Sequence, residues 1–308
     1  LFRGLGLPQG FVPIMPNNSS STKMGPAGLQ PTGEITKRRL IVLGLNLLTY
    51  IAFSITLGVF LGQTGWGWLE SGIMLCVLLF LPWTVMGFWN ALIGLYLLYG
   101  TRNGLEQTSP YLAEGETDKP IRLKTAIVMT LRNEDPARAF ARLHVIYESL
   151  EATGEAGQFA FFVLSDSDNS DIVAREQALF TAWKGVVTRP DALNYRRRLQ
   201  NIGYKAGNII DFCTRWGHEY AYMLTLDADS VMDGETIVRM VRILQAYPKL
   251  GILQSLVVGA PARSAFARLF QFGMRAGMRA YTMGQAWWTA DCGPYWGHNA
   301  MVRIAAFS

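Results

Sequence analysis

Two long apolar blocks near one end of the chain constrain its fold more than any other feature. The first runs from Leu40 to about Leu61 and the second from about Gly72 to Tyr99. A helix crosses about 30 Å of hydrocarbon with about 20 apolar residues, so either block is long enough to span a membrane. Pro82 and Asn90 interrupt the second, which a spanning helix tolerates where neighbours cover them. Trp66, Trp68, Tyr96 and Tyr99 stand near its ends, where interfacial aromatic belts form. Lys37, Arg38 and Arg39 precede the first block and Arg102 follows the second, while the turn at 62–71 carries only Glu70 as a charge. Basic residues favour the cytoplasmic side, so both outer ends and everything after residue 100 are expected there. The alternative for the first block is a helix buried in a protein core.

These blocks account for the composition. Half of the 308 residues are hydrophobic and the mean hydropathy is +0.17, yet the remainder reads as an ordinary water-soluble domain. The net charge of +5 needs no nucleic-acid partner, because juxtamembrane Lys and Arg facing membrane lipid explain it. Cys76, Cys213 and Cys292 lack the spacing of a zinc or redox motif, and His144, His218 and His298 are scattered. Carboxylates must then hold any metal, which points to a hard cation, Mg2+ or Mn2+.

The chain opens on Leu1 rather than Met, so a start further upstream is expected. Residues 1–36, rich in Pro, Gly, Asn and Ser, read as a flexible or surface-hugging arm. Residues 37–100 hold the two spans, 101–123 a linker, and 124–308 a cytoplasmic domain. In that domain short apolar strands alternate with amphipathic helices. Strands are expected at Ala126–Thr130, Phe159–Leu164, Ala221–Leu226 and Gly251–Leu256. Helices follow the first two strands, the second of them leading into a basic loop at Arg196, Arg197 and Arg198. Further helices are expected at Ala206–Trp216 and Glu235–Leu244. The alternation predicts an α/β fold with a mostly parallel sheet, whose ligands bind beyond the carboxyl ends of the strands.

Acidic clusters fall at three of those ends. Leu224-Thr225-Leu226-Asp227-Ala228-Asp229-Ser230 places two carboxylates just past a buried strand, where they can hold a divalent cation against a diphosphate. They can equally cap the next helix. Asp166 is placed to accept hydrogen bonds from a base or ribose, and Glu134 likewise. Lys205, at a helix start beside Gly207, suits a phosphate-bearing ligand. The run Arg196-Arg197-Arg198 reads as a solvated or lipid-headgroup-facing stretch. Asp227-Ala228-Asp229-Ser230-Val231 also fits the nucleophile loop of haloacid-dehalogenase phosphatases, although that loop normally follows the first strand of its domain.

The succession Asn133-Glu134, Asp166, Lys205-Ala206-Gly207-Asn208 and Asp227-Ala228-Asp229 resembles the GT-A domain of processive family-2 glycosyltransferases. The stretches from Gly207 to Gly217 and Tyr295-Trp296-Gly297-His298-Asn299-Ala300 resemble the glucans biosynthesis glucosyltransferase H family in particular. That resemblance covers roughly residues 40–308. It implies an inverting glucosyltransferase of the inner membrane that uses UDP-glucose to extend a growing β-1,2-glucan chain and export it. It also implies a donor side of Thr130, Glu134, Asp166, Lys205 and Asp227, a cation held by Asp229 with Asp227, and an acceptor side of Trp296, His298 and Asn299, with Trp287 and Trp288 nearby. Acyl carrier protein is a partner by resemblance alone. Inversion needs a general base. In the family that carboxylate lies downstream of the Gly-His-Asn segment, so it is expected beyond Ser308. A synthase of another polymer, or a non-catalytic nucleotide-binding membrane subunit, are the alternatives.

Overall fold

The computed structural model describes residues 32–259 and 262–306. The helices are α1 (Thr32–Leu61), α2 (Trp68–Leu95), α3 (Gly104–Thr108), α4 (Pro136–Ala152), α5 (Ser170–Lys184), α6 (Tyr204–Trp216), α7 (Gly234–Ala246) and α8 (Ala265–Thr289). The strands are β1 (Thr125–Leu131), β2 (Phe159–Ser165), β3 (Leu193–Arg197), β4 (Tyr222–Leu226), β5 (Ile252–Gln254) and β6 (Ala300–Arg303). Two compact units form. Of the described residues, one contains Glu114–Gln254 and residues 297–306; the other contains residues 32–113 together with residues 255–259 and 262–296.

This division departs from the boundaries expected above. Residues 255–296 group with the apolar helices instead of continuing the α/β domain. The first helix already begins at Thr32, inside the expected arm, and residues 1–31 lie outside the described residues. The expected linker contains α3 and a 3-10 helix over Pro110–Glu116.

In the helical unit, α1 and α2 are apolar over lengths that suffice to cross a membrane, with mean hydropathies of 2.1 and 2.0. Only 6% and 11% of their most apolar windows are buried, so neither is a core helix among the described residues, and their length and apolarity suit membrane association. Glu70 accepts the Gly67 amide at the start of α2, so the lone charge of the turn caps a helix. Against α2 lies α8, at a crossing too close for any side chain. A Cβ on Gly94 would fall 1.7 Å from the Ala280 carbonyl oxygen, and one on Gly284 would fall 1.9 Å from that of Asn90. Asn90 is fully buried there and accepts a hydrogen bond from Trp288 Nε1 at 2.9 Å. Arg38 and Arg39 donate to the carbonyls of Trp287, Trp288 and Thr289, satisfying the electronegative end of α8. These two arginines therefore cap α8.

The other unit is the expected mostly parallel α/β sheet, in the order β3-β2-β1-β4-β6-β5. The first four strands run parallel, and β6 pairs antiparallel with both β4 and β5. Strands β1, β2 and β4 are buried almost throughout because helices cover both faces. On one face Phe162, Leu164, Met223 and Val302 pack on Ile209 and Phe212 of α6. On the other, Phe161 meets Tyr147 of α4 at a tilt and Trp183 of α5 edge-on. Each such buried side chain contributes about 1.5–3 kcal/mol. His144 accepts from Trp183 Nε1 at 2.8 Å, so this histidine belongs to the packing.

Strand β3 occupies what the sequence reading took for a basic loop. Its arginines neither face solvent as a run nor stand ready for lipid: Arg196 pairs with Asp211 and Asn208, and Arg197 donates to the Ser167 carbonyl. Burial holds the Arg196 guanidinium below its ordinary pKa, which the facing Asp211 carboxylate opposes.

Candidate functional site

Strand register sets the site. Leu131 of β1 is level with Ser165 of β2, which is level with Arg197 of β3, and Met129 is level with Leu226 of β4. One residue further along each strand brings Asp166 beside Arg198 and Thr130 beside Asp227. The strand order reverses between β1 and β4, where open parallel sheets bind ligands. A cleft of ≈ 710 Å³ opens there. Thr130, Glu134, Asp166, Lys205, Asp227 and Asp229 all line it, so the expected donor and cation residues converge on one place.

The β1 end turns at Asn133, whose φ of 57° lies in the left-handed region that Asn tolerates better than most residues. Asn133 ties this loop to the β2 end. Its amide donates to Ser167 Oγ, its Nδ2 to Asp168 Oδ1 at 2.7 Å, and its Oδ1 accepts from the amides of Asp168 and Asn169. The Asn133 hydrogen bond holds the Asp168 carboxyl below its ordinary pKa. Ser167 in turn donates to Glu176 Oε1 at 2.6 Å, a carboxylate buried on α5 that also accepts from Tyr195. Desolvation, with Glu176 beside it, pushes the Tyr195 hydroxyl up to about 12. Glu134 accepts the Arg132 amide, and Asp135 caps α4 through the Ala137 amide.

Asp166 is not a free acceptor. Arg198 Nε and Nη2 each lie 2.7 Å from one of its oxygens, a two-pronged pair with side-chain exposures of 12% and 5% for Arg198 and Asp166. That hydrogen bond raises the Arg198 pKa further, so the guanidinium stays charged. Arg198 also donates to the carbonyls of Ile202 and Tyr204, and thereby fixes the loop that delivers Lys205. Lys205 pairs with Asp227 and donates to the Gly297 carbonyl at 2.9 Å. Asp229 is exposed in the cleft, and Arg142 holds its loop by donating to the Ala228 carbonyl at 2.9 Å.

The donor set can be tested against a cation. Among the described residues no group of three or more His, Cys, Asp or Glu converges on a metal site. Asp227 and Asp229 offer two carboxylates at most. Two carboxylates, water and phosphate oxygens make up the usual shell of Mg2+, which seldom sits in an all-protein cage. Asp227 already pairs with the Lys205 ammonium, which shows that its environment accepts a cation. The residues fit a hard divalent ion that arrives with a diphosphate.

The acceptor-side residues divide. His298 and Asn299 follow Gly297 in the sheet unit, where the Asn299 amide extends the β6 pairing by donating to the Thr225 carbonyl at 2.7 Å. Neither lines the cleft. Trp296, Trp287 and Trp288 belong to the helical unit, where the last two end α8. Sequence reading missed Arg132, Arg138, Arg142, Asn201, Tyr204 and Asn208 as cleft residues. The φ-demanding Asn133 and Gly203 turns beside them were the available signals.

No family model matches the chain. Curated relatives do. It is 38% identical over 276 residues to glucans biosynthesis glucosyltransferase H of Ralstonia nicotianae, covering 88% of this chain and 31% of that protein. It is 40% identical over 248 residues to the protein of that name in Dickeya dadantii, covering 78% and 28%. The Salmonella typhimurium protein is 39% identical over 244 residues, again covering 78% and 28%. Among solved structures, a mannosyltransferase from Pyrobaculum calidifontis in complex with GDP-Man and Mn2+ aligns at a TM-score of 0.34 and 15% identity, over 54% of this chain and 46% of that one. That likeness is too loose to bear on function. The chain spans less than a third of the length of the curated relatives. Over most of its own length, it is a homologue of the proteins named glucans biosynthesis glucosyltransferase H.

Proposed function

We propose that the cleft binds the nucleotide-sugar donor of an inverting glucosyltransferase, with UDP-glucose as donor and a β-1,2-glucan chain as acceptor. The observation that carries this reading is the convergence of Asp166, Lys205, Asp227 and Asp229 at the carboxyl ends of β2 and β4 and the start of α6. The names of the relatives support a glucosyltransferase in glucan synthesis. The residues divide the work by charge. Lys205 leaves Asp227 for the diphosphate, and Asp166, fixed by Arg198, accepts from the base. Asp227 and Asp229 hold Mg2+ or Mn2+. A divalent cation there neutralises charge on the departing nucleoside diphosphate. The exposed apolar faces of α1 and α2 support a membrane anchor; the basic residues flanking them favour a cytoplasmic sheet unit, and the inner membrane and product export rest on the family resemblance. A phosphatase would carry its nucleophile loop after the first strand, whereas Asp227 follows β4.

The test is UDP binding to the purified chain in detergent, titrated calorimetrically with and without Mn2+. Mn2+ is expected to tighten UDP binding. Asp229→Ala is expected to weaken the Mn2+-supported binding roughly 10–100-fold, the loss typical of damaged metal sites, with an unchanged circular dichroism spectrum. Equal UDP affinity in the variant and the parent protein would refute the assignment of the cation to this pair.

A further inference from the structure

We infer that α8 lies along the surface of an anionic phospholipid bilayer, with its apolar face among the acyl chains and its arginines toward the headgroups. This rests on reading α1 and α2 as a membrane anchor. It goes beyond that reading by giving α8 a partner and naming the lipid charge it prefers.

Charge comes first. Residues 255–289 hold four arginines, Arg263, Arg268, Arg275 and Arg279, with no lysine and no acidic residue. Among the described residues none of the four has a carboxylate partner. Arg268 donates to the Ala262 carbonyl at 3.1 Å, and Arg275 reaches that of Gly259 at 3.5 Å. Positive charge left unbalanced over such a stretch complements an anionic surface. The arginines are also ordered. Arg268, Arg275 and Arg279 stand seven and four residues apart, so they form one row along the helix. Phe266, Phe270, Gly273 and Gly277, recurring every three or four residues, form the opposite row, with Leu269 beside it. Phe266, Leu269 and Phe270 are 79%, 72% and 62% exposed, a contiguous apolar patch of the kind that soluble surfaces avoid. An open apolar groove of ≈ 620 Å³ continues from them past Met274 to Tyr281.

A helix with arginines on one face and Phe and Leu on the other binds in the plane of a membrane interface. At 25 residues α8 is long enough to cross a bilayer, but among the described residues only α1 and α2 are apolar enough to do so. Its far end is held at the matching depth. Arg38 and Arg39, immediately before the apolar block of α1, donate to the carbonyls of Trp287, Trp288 and Thr289. Helix α8 therefore ends where α1 enters its apolar stretch. Basic residues at that end favour the cytoplasmic side, whose leaflet carries the anionic lipid. A polypeptide covering the Phe266–Phe270 face would leave the opposite arginine row without a partner, whereas an anionic bilayer engages both rows.

The experiment places a dansyl-alanine at position 270 of the full 308-residue chain, in nanodiscs of phosphatidylcholine with or without phosphatidylglycerol. Nitroxide-bearing lipid and aqueous iodide then report whether the label meets acyl chains or water. In the mixed bilayer the lipid nitroxide is expected to quench it and iodide is not. The ratio of lipid-facing to water-facing label is expected to rise at least about fivefold when phosphatidylglycerol is added, the share of one arginine near an anionic surface. Changing Arg268, Arg275 and Arg279 together to Gln should abolish that rise, and changing them to Lys should preserve it, which separates lost charge from lost fold. Quenching by iodide alone puts the face in water and overturns the inference. Protection from both quenchers means a covering polypeptide and overturns it too. Equal ratios in the two bilayers, or a rise that survives in the Gln variant, overturn the preference for anionic lipid. If carbonate strips the unsubstituted chain from vesicles, the anchor reading itself fails, whatever the label reports.

Discussion

Arg198→Met is expected to cost about 3–5 kcal/mol of stability, the penalty for removing one partner of a buried ion pair. The carboxylate of Asp166 is only 5% exposed and both its oxygens are held by Arg198. Methionine fills much of the same volume but leaves the charge unpaired at the end of β2. It also frees the carbonyls of Ile202 and Tyr204 and the side chain of Asn201, so the turn before Lys205 loses its support. Denaturant unfolding of the purified chain in detergent measures the cost. The double variant Arg198→Met/Asp166→Asn separates the two contributions: removing the orphaned charge should recover most of the loss, and the remainder belongs to the loop. A cost below about 1 kcal/mol for the single variant would place the pair with solvent-screened surface bridges and contradict its burial.

The same pair marks how far sequence could reach. Strands β1, β2 and β4 were legible because helices bury both their faces, and burial on both faces writes a continuous apolar run. The three acidic strand ends were legible for the same reason, since a strand that can be located also locates its end. Strand β3 was not. Leu193-Asn194-Tyr195-Arg196-Arg197 is an edge strand whose polar side chains reach Asn208, Asp211, Glu176 and the Ser167 carbonyl, partners that only the fold brings near. Strand β6 escaped because its neighbours β4 and β5 both precede it, with all of α8 in between. The resemblance puts the tryptophans ending α8 near an acceptor. Trp288 Nε1 donates to Asn90, 198 residues away in sequence, and such a partner is invisible until the fold brings it near.

A charge placed halfway along α1 distinguishes lipid from water. Leu48 is 69% exposed near the middle of the helix. If that face meets water, Leu48→Arg changes stability by no more than about 0.5 kcal/mol, as at an ordinary surface position. If it meets hydrocarbon, the arginine costs about 2.5–3.5 kcal/mol at the centre of a span, and a large share of the protein fails to integrate. Carbonate extraction of membranes bearing each variant, scored as the fraction retained, reads the difference. Leu40→Arg is the companion measurement. Leu40 is also exposed, but it adjoins Arg39 at the basic end of the block, where a long cationic side chain can reach the headgroups. A bilayer therefore imposes a gradient along one helix, severe at Leu48 and mild at Leu40, that neither water nor a covering protein reproduces. Water would give no cost at either position. A protein partner would give costs set by local packing, unrelated to depth. The apolar faces of α1 and α2 meet lipid only if the gradient appears.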